Sequence, residues 1–272
     1  MDNKIDKIEF VKQLKKSESK FFVSSRFLDE DMDLDIYLKF FYPYLRLEQI
    51  ESIYGFALQL SSLYGGRSYK KGTLATKKHL NQLKKLNINF SLTLTNHYFS
   101  DEAFEESFEL LEYLHKHGNS ITVTNNKLVK KIKEFFPLFT YKASLIKHLD
   151  SLEKVNNALK IYDYIVVPMD KNDDDIFLNS LPYKERIILF INANCAYNCP
   201  SRICYTSISK SLSNRQDSSN FDCSIYNIPR KNLGHIFFNL KKFENMGFSN
   251  FKLVPQYSEK LIGMVRNFSK KN

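Results

Sequence analysis

The chain has 272 residues, of which 43% are hydrophobic and 26% are charged, a balance typical of a globular protein. This composition excludes collagen-like, mucin-like and wholly disordered chains, and the most apolar segment, residues 186–197, is interrupted by Asn192 and Asn194 and is not a membrane span. The first residues, Met1 to Lys4, contain no apolar signal-peptide core, so we expect a cytoplasmic protein without membrane insertion.

The formal net charge of +10 is concentrated toward one end of the chain. Residues 200–272 carry 12 Lys or Arg against 4 Asp or Glu, whereas residues 1–199 carry 28 against 26. A basic region of this kind is typical of a surface that binds an anionic partner, either RNA or a small anionic molecule. An ordinary solvated surface is the alternative, and no aromatic nucleic-acid-binding motif accompanies the basic residues.

Short β-branched or aromatic runs alternate with segments of helical periodicity. After a helix over residues 3–16, within an N-terminal extension of residues 1–20, we expect eight strands: residues 21–25, 52–58, 89–95, 120–124, 140–143, 162–167, 186–191 and 250–254. Helices are predicted over residues 74–86, 101–116, 127–136, 151–160, 231–246 and 260–268.

Regular alternation of strands and helices indicates an α/β fold with a parallel sheet and right-handed crossovers. Eight strands in roughly 250 residues suit a TIM-like (β/α)8 barrel, complete or distorted. An open doubly wound sheet is the alternative. No repeat or flexible linker divides the chain, so we predict one domain over residues 1–272, with a long insertion at residues 192–228 after the seventh strand.

All four cysteines lie in this insertion: Cys195, Cys199, Cys204 and Cys223. Disulfides are not expected in a reducing cytoplasm. The C-x3-C-x4-C-x18-C spacing lacks the paired C-x2-C units typical of structural zinc, whereas irregular spacing is normal for thiolates that hold an iron–sulfur cluster. The pattern favours a [4Fe–4S] cluster, with zinc and inert thiols as the alternatives.

Polar residues at other predicted strand ends share the face on which barrel enzymes build their active sites. Gly65 and Gly66 permit a ligand to approach the backbone closely, and Arg67 offers a planar guanidinium for a carboxylate or phosphate. A plain tight turn is the alternative interpretation of the two glycines. Arg202 lies among the cysteines, where it is expected to bind substrate or to hydrogen-bond the cluster.

The segment from Asn192 to Tyr205, followed by Cys223 and by the run Asn250-Phe251-Lys252-Leu253, resembles the collagenase-like U-type peptidase family. More narrowly, it is similar to the iron–sulfur barrel proteins of that family, which include factors for oxygen-independent hydroxylation of ubiquinone and of RNA. The resemblance implies a barrel from about residue 53 to residue 254 with the four cysteines as cluster ligands. It also implies a partner subunit, as in paired family members.

These observations predict an iron–sulfur redox protein, leaning toward an enzyme or enzyme subunit for oxygen-independent hydroxylation or a related modification. A radical S-adenosylmethionine-like enzyme is one rival, although its cysteine loop has a shorter second interval and follows the first barrel strand. A non-catalytic metal-bound protein that binds RNA or a protein partner is the other. The sequence identifies no catalytic residue.

Overall fold

The structure is a computed structural model that describes residues 3–67, 73–193, 195–199, 201–214, 221–224 and 235–255. Its strands are β1 (Lys4–Ile5), β2 (Lys20–Ser24), β3 (Ile50–Gly55), β4 (Asn89–Leu94), β5 (Ser120–Val123), β6 (Thr140–Ala143), β7 (Tyr164–Val166), β8 (Ile187–Phe190), β9 (Asn192–Ala193), β10 (Ile236–Phe238) and β11 (Asn250–Leu253).

The α-helices are α1 (Lys7–Lys16), α2 (Leu34–Phe41), α3 (Lys77–Lys85), α4 (Asp101–Glu106), α5 (Phe108–Leu114), α6 (Asn126–Phe135), α7 (Leu152–Leu159), α8 (Asp175–Ser180), α9 (Ile203–Ser213) and α10 (Leu240–Asn245). Short 3-10 helices occupy Leu47–Gln49, Leu145–Lys147, Met169–Asp173 and Lys184–Arg186. No helix in the described ranges combines the length and the apolar character needed to cross a membrane.

Eight parallel strands close into a barrel in the order β11, β2, β3, β4, β5, β6, β7, β8. Each of them overlaps one of the eight strands predicted from the sequence. Closure occurs where β11 pairs with both β8 and β2, so the barrel has no open edge of the kind that a doubly wound sheet presents. The prediction of a TIM-like barrel is confirmed, and the open sheet is excluded.

Three short strands form a separate antiparallel sheet in the order β1, β10, β9. In this sheet Lys4 pairs with Phe238, and Ile236 pairs with Ala193. The sequence did not predict these strands, because two or three residues carry too little alternation to be recognised. The helix predicted over residues 3–16 is therefore wrong at its start, where β1 forms and α1 begins only at Lys7. The sheet ties the beginning of the described chain to the segment that leads into the cysteines.

Several helix predictions need correction. The helix predicted over residues 231–246 is wrong over its described first part, where β10 forms, and the helix begins only after Asn239, whose side chain accepts a hydrogen bond from the Lys242 backbone N–H. The helix predicted over residues 101–116 is divided at Ser107, whose hydroxyl bonds to the Ala103 carbonyl and to Ser61. The helix predicted over residues 260–268 lies outside the described residues.

The cysteine-bearing insertion has regular structure of its own. Strand β9 opens it, and α9 carries Cys204 near its N-terminal end. Neither was predicted: β9 is only two residues long, and serines and a threonine separate the apolar residues of α9, although Tyr205, Ile208 and Leu212 recur at helical spacing and are buried. The insertion therefore places Cys204 on a helix, whereas Cys195, Cys199 and Cys223 lie outside the helices and strands.

Candidate functional site

A cavity opens at the C-terminal ends of the barrel strands, the face on which barrel enzymes build their active sites. It holds about 1050 Å³ of empty space, its open mouth included. All eight site residues predicted from the sequence line it: Gly65, Gly66, Arg67, Cys195, Cys199, Arg202, Cys204 and Cys223. Residues that are up to 158 positions apart in the chain are thus brought together at one site.

Asn192 fixes the direction in which the chain leaves the barrel toward the cysteines. Its fully buried side chain exchanges two hydrogen bonds with the backbone of Val254, donating to the carbonyl and accepting from the N–H, each at 2.9 Å. Because both ends of the amide are used, the start of the insertion is held against the end of β11. The first cysteine follows three residues later.

The four cysteines are thiols, and none of them forms a disulfide. Cys199 and Cys223 are buried, whereas Cys195 and Cys204 are partly exposed. Two groups of the insertion contact the sulfur of Cys199: the backbone N–H of Arg202 donates to it at 3.3 Å, and the Ser224 hydroxyl lies 3.3 Å away. Hydrogen bonds of this kind stabilise a thiolate and tune a metal bound to it.

The sulfur atoms lie close enough to influence one another electrostatically. Burial is the main cause that raises the pKa of the Cys204 thiol to about 12, and negative charge on Cys195, Cys199 and Cys223 contributes to the same rise. In the described residues, no three Cys, His, Asp or Glu side chains are grouped as the ligands of a metal ion.

Arg202 lines the cavity mouth, but its guanidinium is already engaged. Nη2 donates to Asp170 Oδ1 at 2.6 Å, and Nη1 lies 3.1 Å from Nδ1 of His148. Arg202 also precedes α9 with a left-handed backbone, φ +51°. The paired charge favours a positioning role for Arg202 in the insertion, so the binding of substrate by Arg202 stays a prediction.

Arg67 presents a cationic group that is not neutralised. Its guanidinium stacks 4.5 Å from the ring centroid of Phe56, and Nη2 donates to the Ser25 hydroxyl at 3.1 Å. Burial lowers the pKa of Arg67 to about 10. No carboxylate within the described part of the chain pairs with it, so its charge is available to an anion in the cavity.

Local packing and backbone conformation explain why glycine occupies the two positions before Arg67. A Cβ on Gly65 would lie 2.7 Å from the backbone of Thr95 and Asn96, so only glycine permits this loop to pack against the end of β4. Gly66 has φ +76°, which favours glycine. Both residues shape the cavity wall, and the tight-turn interpretation accounts for them without a ligand.

The inward-facing residues of the strands escaped the sequence analysis. Barrel interiors are usually filled by bulky branched side chains, but here small hydroxyl residues, a tyrosine and a lysine line the cavity: Ser24, Tyr54, Thr93, Thr122, Ser144 and Lys252. The signal was available for the five of them that lie on predicted strands, where successive side chains point to opposite faces, whereas Ser144 follows its predicted strand. Small side chains in the interior leave room for a ligand.

No protein-family model matches the sequence, and no curated protein matches it. Among solved structures, the chain is similar to the U32 peptidase Mk0906, with a TM-score of 0.55 and 12% sequence identity. The superposition covers 89% of this chain and 94% of that chain. The two proteins share the barrel fold, so the fold implied by the resemblance of the cysteine segment is confirmed.

Proposed function

We propose that this chain is a [4Fe–4S] protein related to the collagenase-like U-type peptidases, and that it serves oxygen-independent hydroxylation or a related redox modification as an enzyme or enzyme subunit. The observation that carries the proposal is the convergence of all four cysteines on the cavity that also contains Arg67. A redox centre and an anion anchor in one cavity are what such a reaction requires.

The donor set fits an iron–sulfur cluster better than zinc. A single tetrahedral zinc at about 2.3 Å from each sulfur holds the sulfurs about 3.8 Å apart. A cubane cluster spreads its ligands more widely because each thiolate binds a different iron. Four free thiols around one cavity, at the irregular C-x3-C-x4-C-x18-C spacing, therefore support the cluster.

Cys195, Cys199, Cys204 and Cys223 would hold the cluster, which supplies electron transfer when bound. The Arg202 backbone N–H and the Ser224 hydroxyl would stabilise the Cys199 thiolate. Four cysteine ligands leave no iron open for S-adenosylmethionine, which speaks against the radical-enzyme rival. The remaining residues of the cavity then determine what binds beside the cluster.

A small anion is the favoured substrate class. Arg67 has no carboxylate partner in the described chain, and hydroxyls of Thr93, Thr122 and Ser144 line the same cavity as hydrogen-bond donors. RNA is less favoured on the described residues, since Lys242, one of the lysines of the basic region, is paired with Asp175 at 2.7 Å. Much of the basic region, including residues 225–234 and 256–272, lies outside the described residues.

Anoxic isolation tests the proposal. The protein should be brown, and reduction by dithionite should bleach its visible absorption and give the paramagnetic signal of a reduced cluster. Cys199→Ser should abolish both, whereas Ser201→Ala, an exposed substitution in the same insertion, should leave both intact. A colourless wild-type protein isolated without oxygen contradicts the proposal.

A further inference from the structure

Lys252 carries an amine into the cavity without a counter-ion. It lies on β11, its residue is 4% exposed, and Nζ is 4.2 Å from the ring centroid of Tyr54. No carboxylate and no hydrogen-bond acceptor in the described chain contacts Nζ. Buried lysines are rarely left unpaired, so this amine is a candidate for chemistry rather than for stability.

A second buried lysine lies deeper in the barrel. Lys142 on β6 is 3% exposed, and its Nζ is 4.0 Å from the ring centroid of Phe22. Burial and the charge of Lys252 lower the pKa of Lys142 well below its usual value, while Glu51 acts weakly in the opposite direction. Because two positive charges in one barrel interior repel each other, simultaneous protonation of both amines is disfavoured.

Burial lowers the pKa of Lys252 to about 7. Far more of the Lys252 amine is therefore unprotonated at neutral pH than in an exposed lysine, and an unprotonated amine is a nucleophile toward carbonyl compounds. Arg67 opens onto the same cavity, and Tyr54 interacts with both residues, electrostatically with Arg67 and through its ring with Lys252. An anion anchor and an amine thus line one cavity together with the tyrosine that interacts with both.

We propose that Lys252 forms an imine with a small aldehyde or ketone that carries an anionic group, which Arg67 binds. The proposal rests on the cavity and not on the cluster, so it goes beyond the proposed function and is tested separately from it. A permanently charged ammonium that simply attracts an anion is the competing role.

The step balances without an oxidant or a reductant. The lone pair of Nζ attacks the carbonyl carbon, a C–N bond forms, and the carbonyl π electrons move to oxygen. The oxygen then leaves as water with both hydrogens of the amine, and the nitrogen lone pair forms the C=N bond. Amine and carbonyl compound are converted to imine and water.

Reductive trapping on the full-length wild-type protein tests the proposal. The protein is incubated at neutral pH with glyoxylate and cyanoborohydride, and the modified lysines are located by peptide mass spectrometry. Carboxymethylation at Lys252 should be at least about tenfold faster than at exposed lysines such as Lys130, since an ordinary lysine with a pKa of about 10.4 is almost entirely protonated. The preference should disappear in urea.

Matched variants and a neutral probe distinguish the outcomes. Arg67→Met should slow labelling of Lys252 by glyoxylate at least about threefold and leave labelling by acetaldehyde unchanged, because only glyoxylate carries a carboxylate. Lys252→Arg should remove the fast site while exposed lysines react as before, which shows that the variant is folded. The proposal is overturned if glyoxylate labels Lys252 of the folded wild-type protein no faster than it labels Lys130. The assay is repeated on protein from which iron has been removed. Fast labelling of Lys252 in that protein would show that the reaction does not depend on a cluster.

Discussion

The backbone N–H of Arg202 donates a hydrogen bond to the sulfur of Cys199 at 3.3 Å. The guanidinium of the same residue is held by Asp170, in the 3-10 helix that follows β7, at 2.6 Å. Arg202 therefore connects a barrel strand end to a cysteine of the insertion. The ion pair with Asp170 holds Arg202 in place, and with it the backbone N–H that donates to the Cys199 sulfur.

Asp170→Asn should weaken this connection. The pair is partly exposed, so its loss should cost about 1 kcal/mol or less in stability, but the cluster should be lost several times faster to an iron chelator because Cys199 is less well held. The measurement is the rate of visible bleaching without oxygen. Glu134→Gln, an exposed substitution distant in sequence, is the control, and an unchanged rate for Asp170→Asn would contradict the role given to Arg202.

Arg67→Ala should reduce both binding and stability. The stack on Phe56 and the hydrogen bond to Ser25 together predict a loss of about 1 kcal/mol in unfolding free energy. Arg67→Lys should recover part of the stability but not the bidentate hydrogen bonding of a carboxylate. Calorimetric titration with malonate checks this, with an expected weakening of about tenfold for either variant. Equal malonate binding by wild type and Arg67→Ala would show that Arg67 is not the anchor.

The sequence was sufficient for the barrel, because each strand has β-branched or aromatic residues bounded by turn-forming residues, as in residues 120–124 and 140–143. It was also sufficient to predict the eight site residues that meet in the cavity, since strand ends of a parallel barrel lie at one face, but not the inward-facing strand residues beside them. It failed at Ile236–Phe238, where pairing with β1 and β9 overrides a helical reading. Pairing across the chain is not visible in local periodicity.

The partners of the site residues were equally hidden from the sequence. Nothing in the spacing of Arg202 and Asp170, which are 32 residues apart, indicates their ion pair. The sequence places Lys252 on a predicted strand, but the burial of Lys252 without a counter-ion depends on the seven other strands of the closed barrel. Such properties belong to the folded barrel and not to any one segment.

Lys252→Met should make stability less dependent on pH. Burial lowers the pKa of Lys252 from 10.5 to about 7, so between these values the unfolded chain holds more protons and wild-type stability rises with pH. The variant lacks this contribution, and it also removes the Lys252 charge that helps to lower the pKa of Lys142, which reduces the pH dependence further. The variant should therefore melt at a higher temperature than wild type at pH 6, and the gap should narrow toward pH 10. A gap that is constant with pH would mean that Lys252 titrates normally.

Lys242 and Lys241 should respond differently to charge reversal. Only 11% of the Lys242 side chain is exposed, and it pairs with Asp175, so Lys242→Glu should cost about 1–2 kcal/mol in unfolding free energy. Lys241 is exposed, and Lys241→Glu should stay within about 0.5 kcal/mol. Thermal unfolding of the two variants checks the difference, and equal stabilities would contradict the pairing of Lys242.

The Lys241→Glu variant also tests RNA binding, because the substitution should leave the fold intact. If RNA is a partner, Lys241→Glu should reduce the salt dependence of RNA binding.

The most direct test of the account is the metal content of the protein isolated without oxygen. We predict about four iron and four sulfide per chain with little zinc, as four cysteine ligands of a cubane cluster require. Cys195→Ser and Cys223→Ser, which remove the first and the last cysteine, should each lower the iron content, and Ser201→Ala should not. One zinc per chain, with no iron or sulfide, would contradict the redox function and leave a structural metal site at the mouth of the barrel.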